Sequence, residues 1–389
     1  MSSDYIPFSP PSIGADEIDE VVDTLHSDWL TTGPKTRRFE TEFRDYLQAP
    51  GALALNSCTA GLHLSLASLG IGEGDEVITT PMTFAATANV IEHVGARVVL
   101  ADVQPDTLNI DPDQVAAKVT ARTRAIMPVH YAGHPADMDE IDAIAEQHGL
   151  YVIEDAAHAL PAAYRGQPIG SRNHLTAFSF YATKNMTTAE GGMLTGPTEV
   201  LDQARNLSLH GMSREAWRRY EQGGTWKYDI VAPGFKYNMT DIQAALGIHQ
   251  LRRLAGFHQR RLEIVRQYNE AFSAQGLLAV PEQRPYVSHA WHLYVLRLVT
   301  DRVAVTRDQV ISELQQRNIA TSVHFIPIHL HSFYAGKYGF APEDFPVALD
   351  SYQRMLSLPL NPRLTDTEIG RVIDAVVDVV SAGQYRMAA

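Results

Sequence analysis

The sequence predicts an α/β fold: a large domain on an open, mostly parallel sheet with helices on both faces, then a smaller C-terminal α+β domain. Three observations carry this. From Ala15 onward, amphipathic stretches alternate with short apolar runs; the runs are rich in Val, Ile, Leu and Phe; and each is followed by a turn or a helix start. The helical stretches fall at 16–26, 36–47, 59–69, 84–93, 112–119 and 137–148. The strand runs between and after them fall at 52–55, 76–79, 97–101, 125–129, 151–154 and 175–180. Residues 210–237, rich in Gly, Arg, Trp and Tyr without a period, read as a long excursion beside a site. A helix over 239–254 runs on toward 272, with Thr240 or Asp241 as its cap. Beyond it, 292–299 and 321–325 read as strands, and 307–317 and 366–380 as helices. The domain boundary is placed near Ala255, giving units 1–255 and 256–389.

At 389 residues the chain is long enough for two domains, and 45% hydrophobic with 20% charged residues is ordinary for a globular protein. A formal net charge of -13 excludes sequence-independent binding to nucleic acid or anionic lipid, so an anionic ligand must be held locally. The single cysteine, Cys58, excludes an intramolecular disulfide and a thiolate-built zinc site. No metal site is apparent. The N-terminal residues lack the basic and apolar regions of a signal peptide, and no apolar run is long enough to span a bilayer, so a cytoplasmic location is expected.

Four motifs concentrate chemistry. In Asn56-Ser57-Cys58-Thr59-Ala60-Gly61 a strand passes through a polar turn into a helix, and the free N–H groups of such a start can bind a phosphate. Ser57 or Thr59 acting only as a cap is the plainer reading. In Tyr151-Val152-Ile153-Glu154-Asp155 an apolar strand ends in acid, and open α/β sheets collect ligands beyond the carboxyl ends of their strands. Asp155 there can pair with a protonated pyridine nitrogen, cap a turn or bind a metal. In Phe178-Ser179-Phe180-Tyr181-Ala182-Thr183-Lys184, a lysine just past a buried strand can be desolvated into an amine nucleophile. Ser179 can add a hydroxyl to a phosphate, and Phe84, after another strand end, can stack on a ring or pack in the core. The fourth motif, Pro233 to Asp241, is by itself a capped helix start containing Asn238.

Taken together, these motifs resemble the DegT/DnrJ/EryC1/StrS sugar aminotransferases, of the fold-type I class of pyridoxal phosphate enzymes. The likeness spans nearly the whole chain, including Trp29 to Pro34, Gly74 to Ile78, Pro81 to Ala86, Trp291 to Tyr294, His324 to His329 and Leu356 to Leu360. It implies pyridoxal 5′-phosphate held covalently by Lys184, cycling through pyridoxamine 5′-phosphate during turnover. It further implies Asp155 at the pyridine nitrogen, His158 near the phenolic oxygen, and a phosphate site of Cys58, Thr59, Ser179 and, from the second subunit of a homodimer, Asn238. The common pattern has Gly at position 58 and often Gln at 158, which weakens those two contacts but not the class. Retention of Lys184, where a dehydrating branch has histidine, favours transamination.

The stretch His324-Phe325-Ile326-Pro327-Ile328-His329 resembles the branch acting at C4 of nucleotide-linked 4-keto sugars. The expected reaction moves the amino group of L-glutamate to C4 of a dTDP- or UDP-linked 4-keto-6-deoxy sugar. Amination at C3, amination of a keto-cyclitol, and a catalytically silent regulatory protein are the alternatives. Thr31, Tyr181, Arg219, Lys227, His324 and His329 are the candidate substrate contacts, with Arg218 and Lys236 as further cations for a diphosphate. His324 and His329 also suit a core packed on Phe325 and Ile326.

Overall fold

The structure, a computed structural model, describes residues 4–213, 227–274 and 276–383. Its centre is a sheet of seven strands in the order β1-β9-β8-β5-β4-β2-β3. These are β1 (Ala52–Leu55), β2 (Glu76–Thr79), β3 (Arg97–Leu100), β4 (Thr123–Met127), β5 (Tyr151–Asp155), β8 (Leu175–Ser179) and β9 (Gly192–Thr195). Neighbours pair in parallel except at β9, which is antiparallel to both β1 and β8. A ribbon of β6 (Ala163–Tyr164), β7 (Gln167–Pro168) and β11 (Val287–Ser288) lies apart from it.

Strand side chains alternate between two cores, as the period of two requires. Leu53, Leu55, Ile153 and Ala177 face one side, where α3 (Cys58–Ser68), α4 (Ala85–His93) and α7 (Thr198–Ser208) pack. Ala54, Val152, Phe178 and Met193 face the other, covered by α2 (Pro34–Leu47), α5 (Pro112–Lys118), α6 (Met138–His148) and the start of α8 (Asp241–Ser273). With both faces covered, β2 is buried throughout, Val77 entering one core and Ile78 the other. The helix α1 (Ala15–His26) packs on α8.

The third core is C-terminal. It joins the antiparallel sheet β10 (Leu278–Ala279), β12 (Tyr294–Leu298) and β13 (Met355–Leu358) to α9 (Arg307–Gln316) and α12 (Asp366–Ala382). Two short helices, α10 (Ser332–Tyr338) and α11 (Pro346–Arg354), complete the described α-helices.

Ala255 falls inside α8, which continues without a break: its first half packs on α1 and α2, while Ile264, Val265, Tyr268 and Phe272 enter the C-terminal core. Ile6 also enters that core, its N–H donating to the Asn318 carbonyl (2.8 Å), so the N-terminal segment crosses to the C-terminal unit. Residues 321–325 form no strand. A single bridge, Ser322 to Ser357, ties them to β13, and the chain then leaves the sheet edge toward the cavity described below. The strands β6, β7, β9, β10, β11 and β13 and the helices α7, α10 and α11 lie outside the ranges expected from the sequence; β9, four residues opening on Gly192, carries too little side-chain pattern to read.

The described ends of the 210–237 excursion zip together, with bridges Leu209 to Lys236 and Met212 to Ile230. Gly211 has φ +67 and passes so close to Ala232 that a Cβ would lie 1.8 Å from its carbonyl oxygen. The excursion then docks beside α3, where the Asn56 N–H donates to the Tyr237 carbonyl (2.8 Å).

Candidate active site

The first component is the start of α3. Ser57 is its cap, its hydroxyl accepting from the Ala60 N–H (3.1 Å), while among the described residues the Cys58 and Thr59 amides have no partner. Two free donors thus sit at the positive end of a helix dipole, a ready seat for a phosphate. Gly192 of β9 passes directly behind: a Cβ there would lie 2.4 Å from the Ser57 carbonyl carbon and 2.5 Å from the Cys58 nitrogen. Cys58 itself points inward, its thiol donating to the Ala177 carbonyl (Sγ···O 3.3 Å). Burial, with the nearby Asp155 charge, pushes that thiol well above its ordinary range, so it packs rather than reacts.

The second component lies at the carboxyl end of β5, where Asp155 faces the α3 and α4 side of the sheet. Its Oδ2 accepts from the Thr87 hydroxyl (2.7 Å) and its Oδ1 from the Ala157 N–H (3.1 Å). Thr87 was missed in the sequence; the available signal was its spacing of four from Thr83 across Phe84, which places two hydroxyls on one side of the α4 start.

Lys184 follows β8 in a turn closed by its N–H donating to the Tyr181 carbonyl (2.9 Å). Burial pushes its ammonium down to about 8, against the upward pull of Cys58 and Asp155. Three imidazoles share the cavity. His158 and His292 lie 4.4 Å apart by ring centroids, and His158 stacks on Phe325 at 5.8 Å. Burial keeps all three neutral near pH 7, followed by the Lys184 charge at His158 and His324 and by His158 at His292, with His324 pushed down to about 4. Asn185 fixes the orientation of His292: both amide hydrogens are donated, to the Leu160 and Ala290 carbonyls (2.8 Å each), so its oxygen accepts from His292 Nδ1 (3.2 Å).

These groups surround one cavity of about 460 Å³, within the range of small-molecule sites. Of the residues anticipated, Cys58, Thr59, Phe84, Asp155, His158, Ser179, Tyr181, Lys184 and His324 line it. Phe84 is 65% exposed, an open aromatic face at the mouth rather than a core side chain. Thr83, Glu190, His292 and Phe325 line it without having been singled out for roles.

Other candidates lie elsewhere. Asn238 does not line its own chain's cavity; its side chain accepts from Lys236 Nζ (2.6 Å) and donates to the Thr32 hydroxyl (2.7 Å). Thr31 is exposed, its carbonyl accepting from the Asp241 N–H, and Lys227 is exposed outside the lining. His329 requires correction: its ring is buried against Phe345 (4.7 Å) with Nε2 on the Pro342 carbonyl (3.2 Å), because the short turn after Pro327 carries it away from the cavity. Arg218 and Arg219 fall outside the described residues.

The donor set fits pyridoxal phosphate on this structure's own terms. Free helix amides and two hydroxyls suit its phosphate, Asp155 its ring nitrogen, Lys184 its aldehyde carbon, and Phe84 its ring face. His158 adds a buried Nδ1 that has no hydrogen-bond partner among the described residues.

Comparison with known proteins agrees. The model of the DegT/DnrJ/EryC1/StrS aminotransferase family matches residues 11–377. The spore coat polysaccharide biosynthesis protein SpsC of Bacillus subtilis is 52% identical over 378 residues, covering 97% of each chain. Among solved structures, the sugar aminotransferase Spr1654 of Streptococcus pneumoniae, in its PMP form, superposes with a TM-score of 0.91 at 38% identity, covering 97% of this chain and 99% of its own. Helicobacter pylori PseC, an aminotransferase of pseudoaminic acid biosynthesis, gives 0.90 at 26% identity, covering 97% and 100%. With Lys184, Asp155 and the α3 amides gathered around one cavity and a family match over nearly its full length, the chain belongs to the DegT/DnrJ/EryC1/StrS aminotransferase family, and its cofactor is pyridoxal 5′-phosphate.

Proposed function

We propose that this enzyme transfers the amino group of L-glutamate to C4 of a nucleotide-linked 4-keto-6-deoxy sugar, dTDP- or UDP-bound, in amino-sugar biosynthesis. One observation carries the reading furthest: His324 and Phe325, from the stretch that resembles the C4-acting branch, line the same cavity as Lys184. The roles of two relatives, in spore coat polysaccharide and pseudoaminic acid biosynthesis, lend support to a sugar acceptor.

Bound pyridoxal phosphate supplies the electron sink that lets an amino acid's α-carbon lose a proton. The chain's residues do the rest. Lys184, with its ammonium at about 8, is roughly one-tenth free amine at pH 7, enough to act as nucleophile and then as the base that carries the α-proton. Asp155 holds the positive ring nitrogen. The Cys58 and Thr59 amides and the Thr59 and Ser179 hydroxyls anchor the phosphate. Neutral imidazoles of His158, His292 and His324 form a wall that adds no positive charge to compete with Lys184. Tyr181 and Phe84, both exposed at the mouth, offer aromatic faces to the sugar or its nucleotide. Asn238 reaches the phosphate of a second subunit in a homodimer, since it lies outside its own cavity.

The deciding experiment is mass spectrometry of products from L-glutamate with nucleotide 4-keto sugars, nucleotide 3-keto sugars and keto-cyclitols. Turnover of a 4-keto sugar alone is expected. Exclusive use of a 3-keto sugar or a cyclitol would replace this reading, and no turnover with any acceptor would favour a silent regulatory protein.

A further inference from the structure

We propose that Thr87 is a positioning residue for Asp155, and that Thr83 completes a one-way hydroxyl relay from the cavity wall to that carboxylate. The inference rests on the cofactor reading above and adds two residues to it.

The direction of the relay follows from counting protons. Asp155, as a carboxylate, only accepts, so the hydroxyl at 2.7 Å must be donating: Thr87 spends its single proton on Oδ2. The Thr83 and Thr87 oxygens are also 2.7 Å apart, and with the Thr87 proton spent, Thr83 must donate to Thr87. Thr83 therefore presents only lone pairs to the cavity it lines.

Thr36 of α2 also reaches a carboxylate on another element, Asp241 (2.6 Å), but Ser65 and Thr24 bond the carbonyl four residues back, at Gly61 (2.8 Å) and Glu20 (2.8 Å). Thr87 instead spans from α4 to β5, and it is fully buried, where an unpaired hydroxyl would be costly. Asp155 is thus gripped from two elements, one donor on each oxygen: Thr87 on Oδ2 and the Ala157 N–H on Oδ1. The Cys58 thiol, 3.9 Å from Oδ1, has its closer acceptor in the Ala177 carbonyl (3.3 Å). Lone-pair positions remain on the carboxylate for a ring N–H, and its plane is held before that ring arrives.

The test compares Thr87→Val, Thr87→Ser and Thr83→Val in full-length protein. Two readouts besides activity are used: the dissociation constant of pyridoxal phosphate by absorbance titration, and the pH midpoint of the visible absorbance change of the lysine-bound cofactor. Thr87→Val is expected to weaken binding about tenfold or more, the scale of losing a hydrogen bond to a charged group. It also raises the midpoint, because a loosely held carboxylate leaves less positive charge on the ring nitrogen to repel a proton at the Lys184 nitrogen. Thr83→Val moves both in the same direction by less, and Thr87→Ser restores both. A Thr87→Val protein with wild-type affinity and midpoint would overturn the relay. So would equal losses in Thr87→Val and Thr87→Ser accompanied by equal losses of melting temperature, which would make the residue merely structural. If wild-type protein itself took up no cofactor, the cofactor reading would fail together with the relay, an outcome distinct from a wild-type band left unchanged by the substitutions.

Discussion

Glu154 and Asp155 are neighbours on β5, yet the pleat sends them to opposite faces of the sheet and into opposite kinds of work. Glu154 is fully buried and fully committed: Oε2 meets His130 Nε2 (2.8 Å), while Oε1 meets His174 Nδ1 (3.1 Å) and the Thr176 hydroxyl (2.9 Å). Asp155 accepts only two close donors and keeps capacity on the cavity side. A closed network holds the strand; an open one leaves an acid ready for a ligand. Residue type does not distinguish a structural acid from a functional one here. The number of lone pairs left unspent does.

Substitutions can break or sharpen this contrast. The largest effect belongs to the cavity face. Lys184→Ala, which removes both covalent anchor and proton carrier, is expected to lower steady-state turnover by more than about 10⁴-fold, and Asp155→Asn, which keeps an oxygen to accept from Thr87, by about 10²–10³-fold, each with little change in melting temperature. A catalytically competent Lys184→Ala protein would remove the basis of the site.

The opposite face should show the inverse pattern. Glu154→Gln leaves the His174 charge without its buried partner and is expected to cost about 3 kcal/mol in denaturant unfolding, while turnover per folded molecule stays within a few-fold. Loss of turnover without loss of stability would erase the distinction between the two acids.

A smaller, pH-dependent effect comes from His174. Burial works to lower its value, but Asp142 and Glu154 override this and raise it from 6.5 to about 9. Burial likewise opposes the Glu154 charge, and His130 and His174 override it, holding that carboxyl far below 4.5. The raised histidine stabilises fully below pH 6.5 and loses its contribution as pH climbs from 6.5 through about 9. The depressed acid stabilises above pH 4.5 and is lost as pH falls well below that. Unfolding free energy measured across pH 6.5 to 9 should therefore decline, and His174→Gln should flatten that decline. An unchanged slope in His174→Gln would assign the dependence to another group.

Much of the cavity was legible because it is assembled from strand ends, and strand ends have local signatures. Lys184, Asp155 and the Ser57-Cys58-Thr59 turn each follow an apolar run, and in an open α/β sheet those positions converge at one edge. Thr87, His292 and Asn185 had no comparable signal. A threonine on a helix start reads as an ordinary helical or capping hydroxyl, and only the approach of the α4 start to the last residue of β5 turns its proton toward Asp155. His324 and His329 show the limit most plainly: five residues apart in one motif, one lines the cavity while the other is buried against Phe345.

Period and composition were enough to establish the α/β layering, the strands that make up most of the central sheet and the residue types its edge would carry, because burial on both faces of a parallel sheet imposes short apolar runs that any reader of the chain can see. Folding in three dimensions settled which hydroxyl meets which acid, which histidine reaches the cavity, and how a single helix, α8, serves two cores. Those outcomes depend on contacts between segments far apart in the chain, where direction and distance are set by packing, and packing leaves no local trace in the order of residues.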